Sequence, residues 1–187
     1  WFKSSSSTPS GWFFGQGTAN TNQGLHIGYI GSTSIRFGMW ADDVDFSSMS
    51  DAENWHHFAF TFNSSTKFQA IYRDGVLVAS RTASNNFTGS GTLSIGNIFG
   101  GGTTSCFAGT MEEVRLWNTA RTAVQIRENM HLSLAGNESG LLGYWRLDET
   151  SGTIAGDGTG NGYHATLQNS PTRVTSVLPL GAGESSH

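Results

Sequence analysis

Apolar and polar residues alternate along residues 54–117, which is the pattern of antiparallel β-strands with one buried face. Successive side chains of a strand point to opposite faces. In the segment 54–62, the face that carries the phenylalanines is predicted to enter the core, and its members are His56, Phe58, Phe60 and Phe62. The other face carries Trp55, His57, Ala59 and Thr61.

A hairpin is predicted where the segment 68–72 is followed by Asp74-Gly75 and then by 76–78. Gly tolerates a positive φ at no steric cost, and Asp tolerates it better than most residues. The pair therefore predicts a tight turn between two adjacent strands.

The segment 107–117 changes phase in its middle. Its first half has apolar residues at odd positions and its second half at even positions: Phe107 and Met111, then Val114 and Leu116. A β-bulge near Glu112-Glu113 would return both sets to the core, and it would turn a carboxylate toward the sheet edge.

Similar patterns predict further strands in the segments 11–17, 26–30, 35–40, 141–149 and 163–168. One short surface helix is predicted near 122–131, because Thr122 and Gln125 have the spacing of a capping box. The predicted fold class is all-β, a two-sheet antiparallel β-sandwich of the jelly-roll type.

Composition narrows the class of function. The chain has 187 residues, a net charge of −4 and only 13% charged residues. It has no cluster of Lys and Arg for a phosphate backbone and no apolar run of the roughly 20 residues that span a membrane. We therefore expect neither nucleic-acid binding nor membrane insertion.

Trp1-Phe2-Lys3 reads as the middle of a strand, so further sequence is expected upstream.

The chain resembles the laminin-G-like, concanavalin-A-like jelly-roll modules, a group related to the pentraxins. The resemblance rests on these segments: 54–59, 72–79, 107–118, 141–149 and 157–167. It implies two packed, curved antiparallel sheets, often a bound Ca²⁺, and extracellular binding of a glycan or a protein. The resemblance assigns residues 1–172 to one domain and 173–187 to a tail.

The order of the segments departs from the usual module, in which 141–149 and 157–167 would come first. They could begin a second module. Alternatively, they could fold back and complete this one, which we favour because two apolar strands alone would expose Trp145 and Leu147 to water.

A calcium site is predicted in the Gly-rich loop of Asp157, Thr159 and Asn161, with Glu113 completing the oxygen shell. Ca²⁺ takes six to eight oxygen ligands, and a tight loop can supply them from alternating side chains and carbonyls. The alternative is a plain turn, in which Asp157 and Asn161 bond their own backbone.

A ligand site is predicted at Trp40, Asp42 and Asp43, where an aromatic ring precedes carboxylates that could bind sugar hydroxyls or calcium. The alternative is a solvated loop whose Trp covers the core edge. His57 is a further ligand candidate if its face of the strand is open to a ligand.

Catalysis is not expected. Glycosidases need two carboxylates facing each other across a sugar bond, and the Glu-x-Asp-x-x-Glu pattern of retaining glucanases is absent. The leading hypothesis is a non-catalytic, extracellular or cell-surface module that binds a glycan with the assistance of Ca²⁺. This module would belong to a larger polypeptide. The alternatives are a structural or adhesion module that contacts cell-surface proteins, and a glycoside hydrolase on the same fold.

Overall fold

The computed structural model describes residues 1–47, 49–99, 102–178 and 180–182. The strands of the first half are β1 (Phe2–Ser4), β2 (Trp12–Gly17), β3 (Gly24–Ile30), β4 (Ser34–Gly38), β5 (Asp43–Ser47), β6 (Phe58–Asn63), β7 (Phe68–Arg73), β8 (Val76–Thr82) and β9 (Ser94–Ile95). Those of the second half are β10 (Gly109–Met111), β11 (Val114–Trp117), β12 (Leu132–Ser133), β13 (Leu141–Trp145), β14 (Ile154–Ala155), β15 (Ala165–Thr166) and β16 (Gly181–Ala182). The helix α1 spans Ala123–Asn129, and a short 3-10 helix spans Thr103–Ser105.

The fold is the predicted antiparallel β-sandwich. One layer is a five-stranded sheet in the order β5-β4-β3-β2-β9, and the facing layer contains the three-stranded sheet β6-β7-β8. The main core lies between them and combines Ile27, Ile35 and Phe37 of the first sheet with Ile71 of the second. The predicted inward face of β6 is confirmed, because Phe58, Phe60 and Phe62 all pack against this core.

The two local predictions made from sequence motifs are confirmed. Asp74 and Gly75 have φ angles of 50° and 77°, and they join β7 to β8 as a hairpin. At the helix, the Thr122 side chain accepts from the Gln125 amide, and the Gln125 side chain accepts from the Thr122 amide. The helix lies on the outer face of the three-stranded sheet, where Ile126 packs against Ala70 and Tyr72.

The phase change in the segment 107–117 is present as a break between two strands. Glu113 has a φ of 56°, and β10 pairs with β1 whereas β11 pairs with β13. Val114 is buried as expected, but Leu116 is 37% exposed, because it lines an open cleft between β11 and β6. The prediction that Leu116 enters the core is therefore wrong.

Strand β13 packs on β11 and on residues of the five-stranded sheet. Trp145 of β13 lies opposite Val114 of β11, and both belong to a second apolar cluster with Phe14 and Leu147 on its margin. Strand β13 is shorter than predicted and ends at Trp145. The segment 163–168 forms a strand over Ala165–Thr166 alone, and Tyr163, which precedes this strand, is exposed.

The segment from residue 173 onward, which the sequence suggests is a tail, contacts the sandwich through several of its described residues. Arg173 donates to the Glu149 carbonyl at 2.7 Å, and the Ser176 hydroxyl donates to the Glu112 carboxylate. Further on, β16 pairs in parallel with β12. Residues 183–187, part of the same predicted tail, lie outside the described residues.

Candidate functional site

The outer face of the five-stranded sheet carries a cluster of aromatic rings around Trp40. Trp40 is exposed, Trp12 and Phe99 are half-buried, and His26 is buried. In each strand the outward side chains alternate with core residues: His26 precedes Ile27, and Arg36 lies between Ile35 and Phe37. We call this surface the Trp40 patch and define it as Trp12, His26, Arg36, Trp40, Asp43, Asp45 and Phe99.

Three edge-to-face contacts connect the aromatic rings of the patch. The His26 ring lies 5.5 Å from Trp12 and 5.3 Å from Trp40, measured between centroids, and Trp40 lies 6.0 Å from Phe99. Such contacts add about 0.5–1.5 kcal/mol each beyond area burial. The rings therefore form one connected row rather than isolated side chains.

Trp40 itself is 39% exposed and has a φ of 61°, and the next residue, Ala41, has a φ of 84°. Bulky residues rarely adopt this left-handed region, and backbone strain of this kind amounts to about 1–3 kcal/mol. The neighbouring structure holds the turn in place, since the Asn22 amide donates to the Trp40 carbonyl at 2.9 Å. An exposed indole in a strained turn is the feature of this surface that packing alone does not explain.

Small residues allow the polar groups of the patch to approach one another. A side chain at Gly38 would clash with both the His26 ring and the Asp43 carboxylate. His26 Nδ1 lies 2.8 Å from the Gly24 carbonyl, which leaves Nε2 facing Asp43 at 3.5 Å. Burial raises the pKa of the Asp43 carboxyl, but His26 and Arg36 outweigh burial and lower it.

Arg36 connects the two acidic side chains at the edge of the patch. Its Nε and one terminal nitrogen donate to the two Asp45 oxygens at 2.8 Å each, and its other terminal nitrogen lies 3.1 Å from Asp43. A bidentate pair of this kind fixes the orientation of both groups. The patch thus presents aromatic rings beside oriented polar groups.

Asp42 is predicted to contact a ligand, but the structure gives it a different environment. It is 1% exposed, and its carboxylate accepts from the amides of Ser84 and Asn85 at 2.8 and 3.1 Å. Arg81 lies 3.1 Å away. Burial raises the pKa of Asp42, and the amide donors and Arg81 lower it by more. Asp42 therefore anchors the turn after Trp40 to the backbone of Ser84 and Asn85.

His57 lies apart from the Trp40 patch, beside β6 of the other sheet. Its ring meets that of Trp1 edge to face at 5.4 Å. Burial lowers the pKa of His57 well below its usual value, and the positive charge of Arg115 acts in the same direction.

Of the four residues of the predicted calcium site, Asp157, Thr159 and Asn161 lie together, but their polar groups bond one another and the backbone. Asp157 accepts from the amides of Tyr144, Thr159 and Tyr163, and from the Thr159 hydroxyl. The Asn161 amide donates to the Leu142 carbonyl at 2.9 Å.

Glu113 lies at the other end of the Tyr144 side chain, where its carboxylate accepts from the Tyr144 hydroxyl and from Arg115. Donors already occupy both carboxylates, so this arrangement does not fit a cation that needs six to eight free oxygen ligands. In addition, no group of three or more His, Cys, Asp or Glu in the described part of the chain could hold a metal ion.

Periodicity could have identified part of the patch, since His26 and Arg36 alternate with core residues. Trp12 could not be assigned in this way, because the register of β2 shifts between Trp12 and Phe14. Phe99 lies outside any strand, and the sequence gives no signal that it meets Trp40.

Comparison with known proteins agrees with this architecture. The family model of the concanavalin A-like lectin/glucanases superfamily, Laminin_G_3, matches residues 1–127. The chain belongs to this family. No curated protein matches it significantly.

Among solved structures, the chain is similar to the crystal structure of a putative carbohydrate binding protein from Bacteroides ovatus ATCC 8483. The TM-score is 0.69 and the sequence identity 21%, over 96% of this chain and 58% of the other. The chain thus spans little more than half of that structure, and the likeness concerns the fold. No helix in the described ranges is long and apolar enough to cross a membrane.

Proposed function

We propose that this chain is a non-catalytic glycan-binding module of an extracellular or cell-surface polypeptide, and that the Trp40 patch holds the glycan. The observation that carries the proposal is the exposed indole of Trp40 on a strained, well-supported turn. A backbone outlier of this kind supports a hypothesis of function when the surrounding structure maintains it.

The chemistry of the patch suits a sugar. A pyranose ring has an apolar C–H face and a rim of hydroxyls, so it needs a flat aromatic surface beside oriented donors and acceptors. Trp40 offers the aromatic surface, and the Arg36–Asp45 pair offers the oriented donors and acceptors. Binding sites in general combine aromatic area with a few fixed polar groups.

The electrostatics of the patch favour binding over hydrolysis. A glycosidase needs a carboxylic acid whose pKa is raised, so that it can protonate the leaving group. Within the patch, the pKa of the Asp43 carboxyl is lowered, which is the opposite of what that role needs. The name of the Bacteroides ovatus protein, a carbohydrate binding protein, is consistent with this proposal.

A glycan array tests the proposal. The wild type, Trp40→Ala and Phe68→Ala are applied side by side. Phe68 is the matched control, because it is 38% exposed, close to the value for Trp40, but lies on the other sheet. We expect binding by the wild type and by Phe68→Ala, and loss of binding by Trp40→Ala. Full retention by Trp40→Ala would contradict the assigned surface, and a folded wild type without any signal would favour the adhesion or spacer alternative.

A further inference from the structure

The charged groups of the Trp40 patch indicate which glycans it can accept. One guanidinium, that of Arg36, lies beside the two carboxylates of Asp43 and Asp45. The rings that complete the patch carry no fixed charge, and they belong to Trp12, His26, Trp40 and Phe99. With His26 neutral, one cation and two anions leave the patch with a net charge of −1, and protonation of His26 would bring it only to zero.

The positive charge of Arg36 is already paired within the patch. Its Nε and one terminal nitrogen donate to Asp45 at 2.8 Å each, and the other terminal nitrogen lies 3.1 Å from Asp43. All three nitrogens of the guanidinium thus face a carboxylate. The carboxylate or sulfate of an acidic sugar could reach this fork only by displacing one of these two aspartates, which would then lose its cation.

Two further cations near the patch are also engaged. Arg81 donates to the Asp43 carbonyl at 2.9 Å and lies 3.1 Å from the Asp42 carboxylate. The Lys67 amine donates to the Ser84 carbonyl at 3.1 Å. An acidic sugar would therefore have to compete with an existing partner at each of these groups.

The charge that a ligand meets first on this surface is negative. The side chain of Asp45 is 38% exposed, whereas that of Arg36 is 25% exposed. Asp43 also lies near the stacking surface, because the His26 ring contacts both Asp43 and Trp40. The pKa of the Asp43 carboxyl is lowered despite its burial, so the group is ionised at neutral pH. An anionic sugar beside Trp40 would face these carboxylates, and like charges in an interface are unfavourable.

We propose that the Trp40 patch binds uncharged glycans and rejects acidic ones, namely glycans that carry uronic acids, sialic acids or sulfate. This inference rests on the proposed glycan-binding function and adds to it the class of sugar. Trp40 supplies a stacking surface that suits sugars in general, and the aspartates exclude the acidic ones by repulsion. Specificity often depends on such an unfavourable contact with the wrong ligand.

A chemically matched pair of ligands tests the proposal by titration calorimetry. The strongest neutral glycan of the array is oxidised at its primary hydroxyls to uronic acids, and the methyl ester of this product restores neutrality at nearly the same size. We expect the acid to bind at least about tenfold more weakly than the ester at low salt. The difference should shrink in about 1 M salt, where the Debye length is only about 3 Å. A purely steric exclusion of the acid would not respond to salt.

Asp45→Asn tests the origin of the repulsion. This substitution removes one anion and leaves Arg36 partly unpaired, so the difference between acid and ester should fall to about threefold or less. Asp148→Asn is the matched control, because it removes the same charge at an exposed position outside the patch. It should leave the difference unchanged.

Equal affinities for acid and ester would overturn the proposal, and so would equal effects of Asp45→Asn and Asp148→Asn. A wild type whose strongest array ligand is acidic, with binding lost in Trp40→Ala, would overturn it as well. In these cases the glycan-binding function itself would stand. The absence of any glycan signal from the folded wild type would instead remove the proposed function, and this inference with it.

Discussion

The hydroxyl of Tyr144 donates a 2.6 Å hydrogen bond to the buried carboxylate of Glu113. This bond joins β13 to the break between β10 and β11, where the sequence pattern changes phase. The same hydroxyl accepts from the Leu134 amide at 3.2 Å. Tyr144 is fully buried and thus organises the region where the late strands meet the sandwich.

Tyr144→Phe should lower the free energy of unfolding by about 2–3 kcal/mol, because it removes a donor to a charged group and leaves the Leu134 amide without its acceptor. For a chain of this size the thermal midpoint should fall by about 5–10 °C. Urea denaturation measures the change. Tyr163→Phe is the matched control, since Tyr163 is exposed, and it should stay within about 0.5 kcal/mol. Equal effects of the two substitutions would contradict this role of Tyr144.

Stability should fall at acidic pH because of Asp42 and Asp157. Amide donors lower the pKa of both carboxyls despite burial, which acts in the opposite direction. An unfolded Asp titrates near pH 3.9. A group with a lowered folded-state pKa stabilises the fold above the unfolded pKa, and this contribution is lost as the pH falls through the folded pKa.

We therefore expect the free energy of unfolding to stay nearly level from about pH 7 to pH 5 and to decline below about pH 4. Asp42→Asn should be less stable at pH 7 and should show a weaker decline. Urea titrations at several pH values would measure both. A wild-type stability that rises below pH 4 would show that these carboxylates do not act as described.

Calcium should not stabilise the protein through the loop of Asp157. Its carboxylate oxygens are already bonded to three backbone amides and the Thr159 hydroxyl. A ligand present at 100 times its Kd would add about 2.7 kcal/mol, or about 5–10 °C in the midpoint. We expect thermal scans in millimolar Ca²⁺ and in chelator to agree within about 1 °C.

A comparison of variants separates the two interpretations of this loop. Asp157→Ala should destabilise the protein by about 2–4 kcal/mol with or without Ca²⁺, because several donors lose their acceptor. Asp148→Ala, at an exposed position, should have little effect. A calcium-dependent midpoint that Asp157→Ala abolishes would restore the calcium site predicted from the sequence.

Features fixed by neighbouring residues could be predicted from the sequence. The Asp74-Gly75 turn and the capping box of Thr122 and Gln125 are local, and the structure contains both. The inward face of β6 follows from alternation alone. The phase change at Glu112-Glu113 also marked a real break in the strand.

Features that depend on distant partners could not be predicted. Asp42 bonds the amides of Ser84 and Asn85, which lie more than 40 residues away, so nothing near Asp42 shows that its carboxylate is buried. Phe99 is likewise distant from Trp40 in the sequence, so the contact between their rings could not be predicted. Leu116 has the pattern of a core residue, but it lines the open cleft beside β6 and is partly exposed.

The central claim is that the Trp40 patch binds a glycan, and titration calorimetry with the strongest glycan of the array tests it most directly. Trp40→Ala should raise Kd by at least about tenfold, which corresponds to about 1.4 kcal/mol. Phe68→Ala should change Kd by less than about twofold. A Kd for Trp40→Ala equal to that of the wild type, in a variant that remains folded, would contradict the account.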